Sequence, residues 1–225
     1  MPLESISLRK LLKIGFSTPN RRRAELRGII RQDRAKAAGA ADEGGDFYAG
    51  FWADARAHVF GTQDLHESTA ERVAGNRNRQ RLYPLLRDGF LRWWSTYRRR
   101  TNEPFQLGPS QRTRFEIPGL ASMVKVESIL SITDGAGGHH YVYPYFAEAP
   151  EFSADAARLG LWLLGQALPE IPPERFQLLD VLRGRAFSIT QTPLQGDEEH
   201  HFLRMYAGLI QERDGLRRLA EGEPT

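Results

Sequence analysis

Apolar residues are sparse between residues 21 and 38. Leu26, Ile29 and Ile30 fall on one narrow stripe at helical spacing, while Arg23, Arg27, Arg31 and Arg34 recur on another face. This pattern predicts a helix from about Arg21 to Ala38, too thinly apolar for deep burial, that orders against a partner surface. The stretch AAGAADEGG, residues 37–45, is small, flexible and acidic, and predicts a linker. Tyr48, Phe51, Trp52, Ala55 and Val59 then share one helical face, with Asp46 placed to cap it. Ser68 and Glu71 have capping-box spacing for a short helix that ends near Gly75. After the loop NRNRQR, the residues Leu86, Phe90, Trp93 and Tyr97 predict a longer helix from about Pro84 to Arg99, with Pro84 suited to its first turn.

From about Arg112 the period changes to two. TRFEI predicts a short strand. In SMVKVESILSI, Val124, Val126, Leu130 and Ile132 point one way and Lys125, Glu127 and Ser131 the other. Residues 134–138 predict a turn, and His139 to Phe146 the returning strand. Pro144 has no N–H to give a ladder, so this strand is expected at a sheet edge or bent there. Ser153 caps an almost wholly apolar helix, RFQLLDVL and RAFSI predict two strands joined through Arg183-Gly184, and Asp197 opens a last helix striped by Phe202, Met205, Tyr206, Leu209 and Ile210. The fold class expected is α+β: a helical N-terminal part, then a small antiparallel or mixed sheet built from two hairpin-plus-helix units. The divisions expected are a basic helical arm and linker over 1–45, a helical subdomain over 46–105, an α+β subdomain over 106–220 and a disordered tail over 221–225.

Composition narrows the chemistry. The 225 residues include no cysteine, which excludes disulfides, thiolate metal sites and thiol nucleophiles. No stretch approaches the roughly 20 apolar residues of a membrane span, and the N-terminus lacks the apolar core and cleavage site of a signal peptide. A cytoplasmic protein without membrane contact is expected. The formal net charge of +3 hides a division. Residues 1–114 hold 22 Lys and Arg against 12 Asp and Glu, and residues 115–225 hold 9 against 16. The basic half suits a polyanion or an acidic protein, unless the halves neutralise each other. Lysine occurs only at positions 10, 13, 36 and 125, an arginine bias that points to a GC-rich bacterial genome as much as to phosphate recognition.

Four constellations carry candidate chemistry. Arg21, Arg22 and Arg23, with Arg27, Arg31 and Arg34 on the same helix, then Arg77, Arg79 and Arg81, then Arg98, Arg99 and Arg100, make a phosphate-binding surface if they converge. Tyr141, Tyr143 and Tyr145 line one face of a strand and offer either a stacking platform or the boundary of a core. His139-His140 and His200-His201 are adjacent pairs whose imidazoles diverge, so a metal site needs one from each pair together with Asp134 or Glu148. Glu127, Asp134 and Glu148 are the acids available to a magnesium-dependent hydrolase. Phosphate-loop, dinucleotide-binding, nucleophile-elbow and His-Glu-x-x-His signatures are absent.

The order of elements over roughly residues 69 to 183, a helix, three strands, a helix and another strand, resembles the restriction-endonuclease-like nuclease core. That family carries an acid on its second strand, where Glu127 would stand, and an acid and a lysine one residue apart on its third. The third strand here, YVYPYF, has neither. The resemblance therefore implies a fold put to binding use without cleavage. Together these features predict a non-catalytic binding or adaptor subunit of a bacterial complex that meets a protein partner or nucleic acid through arginine-rich helices, with no small-molecule cofactor. The alternatives are a magnesium-dependent nuclease or other hydrolase, and a purely structural protein–protein module.

Overall fold

The computed structural model describes residues 3–39, 46–99 and 104–221. The linker expected beyond Gly39, the cluster member Arg100 and the tail expected beyond Glu221 lie outside the described residues. Elements follow in the order β1 (Ser5–Ser7), α1 (Leu8–Gly15), α2 (Pro19–Ala37), α3 (Ala49–Val59), α4 (Leu65–Gly75), a 3-10 turn (Arg77–Arg79) and α5 (Leu82–Arg98). The strands β2 (Gln106–Leu107), β3 (Thr113–Glu116), β4 (Met123–Val126), β5 (Leu130–Thr133) and β6 (His139–Tyr145) come next. They are followed by α6 (Ala154–Ala167), β7 (Phe176–Asp180), β8 (Arg185–Phe187) and α7 (Glu198–Glu221). The protein is α+β, with helices mostly N-terminal and two mixed sheets.

The larger sheet has the order β2-β5-β6-β7-β8. Its two halves are the expected hairpin-plus-helix units: β5-β6 followed by α6, and β7-β8 followed by α7. They join where β6 and β7 run parallel, Tyr141 opposite Phe176 and Tyr145 opposite Asp180. Strand β6 is central, contrary to the edge position expected from Pro144. The proline is tolerated because β5 begins opposite Val142, two residues short of it, so that flank has no ladder to interrupt.

Alternation along β6 divides the core in two. Val142, with Leu130, Ile132 and Leu179 of its neighbours, packs under α3 and α5 against Phe51, Trp52, Leu86 and Phe90. Tyr141, Tyr143 and Tyr145 face the other way, into a cluster shared with α1, α6 and α7. The sheet is thus covered on both faces.

The smaller sheet has the order β1-β4-β3, with β1 parallel to β4. The chain from Met123 to Ile132 was expected as one strand. It breaks at Glu127–Ile129, where Ser128 has φ 69°, and β4 and β5 enter different sheets. The corner is pinned by Trp52, whose indole N–H donates to the Ser128 carbonyl at 2.7 Å. A one-residue change of direction leaves no mark in a period-two pattern, so the two strands read as one.

The segment expected as an N-terminal arm is built into the body. Ile6, Leu8 and Leu11 are fully buried in the core shared with α6 and α7. Helix α2 finds its surface within the chain: it lies along α7, where Arg22 and Arg23 reach Glu212 and Arg34 reaches Glu221. Helix α4 starts one turn earlier than its capping-box spacing implies. Asp64 is the cap, accepting the His66 and Glu67 N–H groups, and Ser68 lies inside the helix. Either residue satisfies the exposed donors, and the choice rests on Leu65, which is fully buried.

Helix α5 crosses the β7–β8 turn with backbone against backbone. A methyl built on Gly89 would overlap the carbonyl oxygens of Val181 and Leu182, and one on Gly184, where φ is +62°, would overlap the Gly89 carbonyl. Only the absence of a Cβ on both sides allows this approach. Gly89→Ala is expected to destabilise the fold by about 2 kcal/mol or more, because backbone rather than a side chain must move. Urea unfolding measures the change, and an unaltered midpoint would contradict this packing.

Candidate functional site

Strands β6 and β7, being parallel, end on the same side of the sheet, and both run into polar turns. After Tyr145 come Phe146, Ala147 and Glu148; after Asp180 the chain turns through Arg183. Arg183 donates to the carbonyl of Glu148 at 2.8 Å and to the carboxylate of Asp180 at 3.0 Å, tying the two strand ends together. Asp180 is 1% exposed. Its burial pushes the carboxyl pKa up, against the pull of Arg183. This pair is structural and closes the turn.

Glu148 sits just outside. Its two oxygens accept from the two terminal nitrogens of Arg81, at the start of α5, both at 2.5 Å. That fork holds the carboxyl below the usual glutamate range, with smaller contributions from Arg183 and from Arg21 at the start of α2. Arg81, from one of the three sequence clusters, therefore engages this carboxylate directly, and Arg21, from another, acts on it only through its charge. Alongside, Arg9 of α1 pairs with Asp46 and lies over the Phe146 ring, which stacks on Tyr48 at 4.8 Å. Burial raises the Tyr48 phenol, followed by the charges of Glu148 and Asp46. Regions outside the carboxyl ends of parallel strands are a common place for anionic ligands to settle.

The other arginines divide. Arg22, Arg23 and Arg34 are engaged by α7, and Arg79 lies over the Tyr83 ring at 5.3 Å. Arg21, Arg27, Arg31, Arg77, Arg98 and Arg99 are exposed and form no ion pair among the described residues. Arg98 and Arg99 lie away from Glu148, on an open groove beside the end of α5.

The remaining candidates do not assemble. Tyr141, Tyr143 and Tyr145 are 5%, 2% and 2% exposed and present no face for stacking. The Tyr143 hydroxyl accepts the Arg9 N–H at 3.1 Å, and burial pushes its pKa to about 12; the Tyr145 hydroxyl donates to the Pro150 carbonyl. His140 binds Asp134 at 2.9 Å, and His139 binds Thr133. Asp134 also receives the Ala136 and Gly138 N–H groups, so it organises its own hairpin turn. His200 and His201 begin α7, with His201 beside Asp197. Glu127 lies exposed in the link before β5, off the second strand of the sheet. Among the described residues no three His, Asp or Glu side chains gather as a metal site would require. No helix among them is long and apolar enough to cross a membrane.

Arg9 and Arg183 carry no signal in the sequence. Neither belongs to a cluster: Arg9 interrupts a short apolar stretch and Arg183 sits in a turn, and only the sheet topology brings them to the same end. No protein-family model matches the chain, and no curated protein matches it.

Glu148 is the carboxylate that Arg81 engages at this end of the sheet. Glu148→Gln is expected to leave folding stability within about 1 kcal/mol, because both ends of its bridge to Arg81 are largely exposed. The same change is expected to raise the salt concentration that elutes the protein from heparin. Earlier elution would show that the surrounding arginines bind no anion.

Proposed function

We propose that the chain is a non-catalytic binding subunit that holds the phosphate backbone of a nucleic acid on the arginine face spanning the start of α5 and the exposed side of α2. The observation that carries this reading is the fork of Arg81 on Glu148 with Arg183 bound to the Glu148 carbonyl beside it, beyond the ends of the parallel strands. Arg27 and Arg31, exposed and without an ion pair among the described residues, add two further guanidinium groups on α2. Guanidinium groups from separate elements suit a backbone that presents successive phosphates.

The fold supports a binding use over cleavage. Of the three strands expected in the nuclease-like order, the first, TRFEI, lies in the smaller sheet as β3 and the second divides between the two sheets as β4 and β5, so only the third, β6, stands whole in the larger sheet. On the third of those strands the two same-face residues nearest its end are Tyr143 and Tyr145. Both are buried, with phenols held neutral by desolvation, and neither supplies the carboxylate or ammonium that metal-assisted hydrolysis uses. As part of the same reading, the protein works in the bacterial cytoplasm as an adaptor within a larger complex.

Retention on immobilised duplex DNA tests the proposal. Binding is expected at low salt, with the logarithm of affinity falling linearly against the logarithm of salt concentration. Reversing Arg27 and Arg31 together to glutamate is expected to reduce that slope by about 2, roughly 0.9 for each phosphate no longer neutralised. No retention of the parent protein at low salt would remove the reading.

A further inference from the structure

An open groove of about 990 Å³ runs beside the C-terminal end of α5, between it, the loop after α3 and the chain leading into β2. Its walls are uneven in chemistry. Trp94, 5% exposed, forms a floor that packs against Phe105 at 5.1 Å between ring centres. Phe60 and Phe105 are half-buried on its lining, and Arg98 and Arg99 stand exposed at the α5 end with no ion pair among the described residues. His58 is held at the loop side, its Nδ1 accepting the Leu65 N–H at 3.3 Å.

Charge changes sign along the groove. Toward α4 it meets a second depression, of about 420 Å³, which shares Gly61, Gln63 and Asp64 with the first and adds Glu67 and Glu71. Asp64 is committed there: the N–H groups of Glu67 and His66 hold its carboxyl below the usual range, so it stays anionic. A phosphate chain threaded through the full length would run from two guanidinium groups into three carboxylates. An occupant that fits both ends carries its negative charge at one end only and a flat, polar-edged body at the other.

We propose that this groove takes the unpaired terminal nucleotide of a nucleic-acid strand, with the phosphate on Arg98 and Arg99 and the base against Phe60 and Phe105. The volume suits one nucleotide with its solvent. Aromatic walls give a base a stacking surface that does not depend on its identity, and the carboxylates near Gln63 stop a continuing backbone. The choice of ligand rests on the nucleic-acid reading above; the residues involved are a separate set from Arg21, Arg27, Arg31 and Arg81.

Tryptophan fluorescence, titrated at fixed salt with a short oligothymidylate, a blunt DNA duplex and polyglutamate, separates the outcomes. Phe105→Ala, which keeps every charge, is expected to weaken oligothymidylate binding about tenfold and duplex binding by less than about twofold. Arg98→Glu with Arg99→Glu, both on exposed side chains, is expected to weaken the oligothymidylate at least as much. Trp94→Phe identifies the floor indole as the source of the quenching. Oligothymidylate affinity unchanged in both groove variants overturns the proposal, as does an equal weakening for duplex and single strand. Displacement by polyglutamate at matched charge overturns it in favour of an acidic peptide. If the duplex fails to bind at low salt while Phe105-dependent binding of the single strand persists, the backbone-binding face is lost and the groove stands.

Discussion

Strand β6 is buried on both faces, and most of the molecule is arranged to make that possible. A strand seven residues long that carries three tyrosines on one side needs apolar cover for their rings and partners for their hydroxyls. Helices α1 and α6 supply the cover. The Tyr143 hydroxyl takes a backbone N–H from α1 and the Tyr145 hydroxyl gives to the carbonyl of Pro150. On the opposite face Val142 joins Leu130, Ile132 and Leu179 beneath an aromatic layer from α3 and α5. The N-terminal segment is thereby obligatory: without α1 the phenol of Tyr143 would be left in an apolar core with no partner.

The opposed charges of the two halves are partly spent inside the fold. Helix α2 is poor in apolar residues, yet it is ordered by α7, because Leu26 and Ile29 bury against the core while Arg22, Arg23 and Arg34 find carboxylates on that helix. These pairs are half-exposed, so each adds little on its own; their geometric effect is to fix which face of α2 turns outward. Arg27 and Arg31 are left on that face. The sequence clusters treated all arginines as equivalent, and the fold sorts them into bridging and outward-facing groups.

How much of this could be read from the chain depended on the range of the interaction involved. The period of the apolar residues located α5 and α7 within a residue or two, and the recurrence of hairpin and helix gave the two units of the large sheet. Local chemistry also found the Ser153 cap, where Oγ accepts the Ala156 N–H. Three features escaped. Pairing of β1 with β4 joins residues more than a hundred apart, and three-residue SIS carries no period. The corner at Ser128 is a single backbone angle. The approach of Arg183 to Glu148 is set by β6 and β7 running parallel, and a residue's own neighbours in sequence carry no trace of that. Pro144 misled for a related reason: its penalty depends on whether a neighbouring strand extends that far, and β5 stops short.

A carboxylate at the centre of an arginine cluster changes what the cluster can bind. Glu148 satisfies Arg81 in two parallel hydrogen bonds and draws on Arg21 and Arg183 through space, so an incoming anion must match a fork already made. A lone phosphate gains little by the exchange, since it replaces one charge-assisted pair with another. Under the proposed function, a ligand that presents several phosphates at once gains from exposed arginines such as Arg21, Arg27 and Arg31 bonds that displace no ion pair among the described residues. On the proposed function, the carboxylate would penalise isolated anions more than extended ones, which is the discrimination a backbone-binding surface needs.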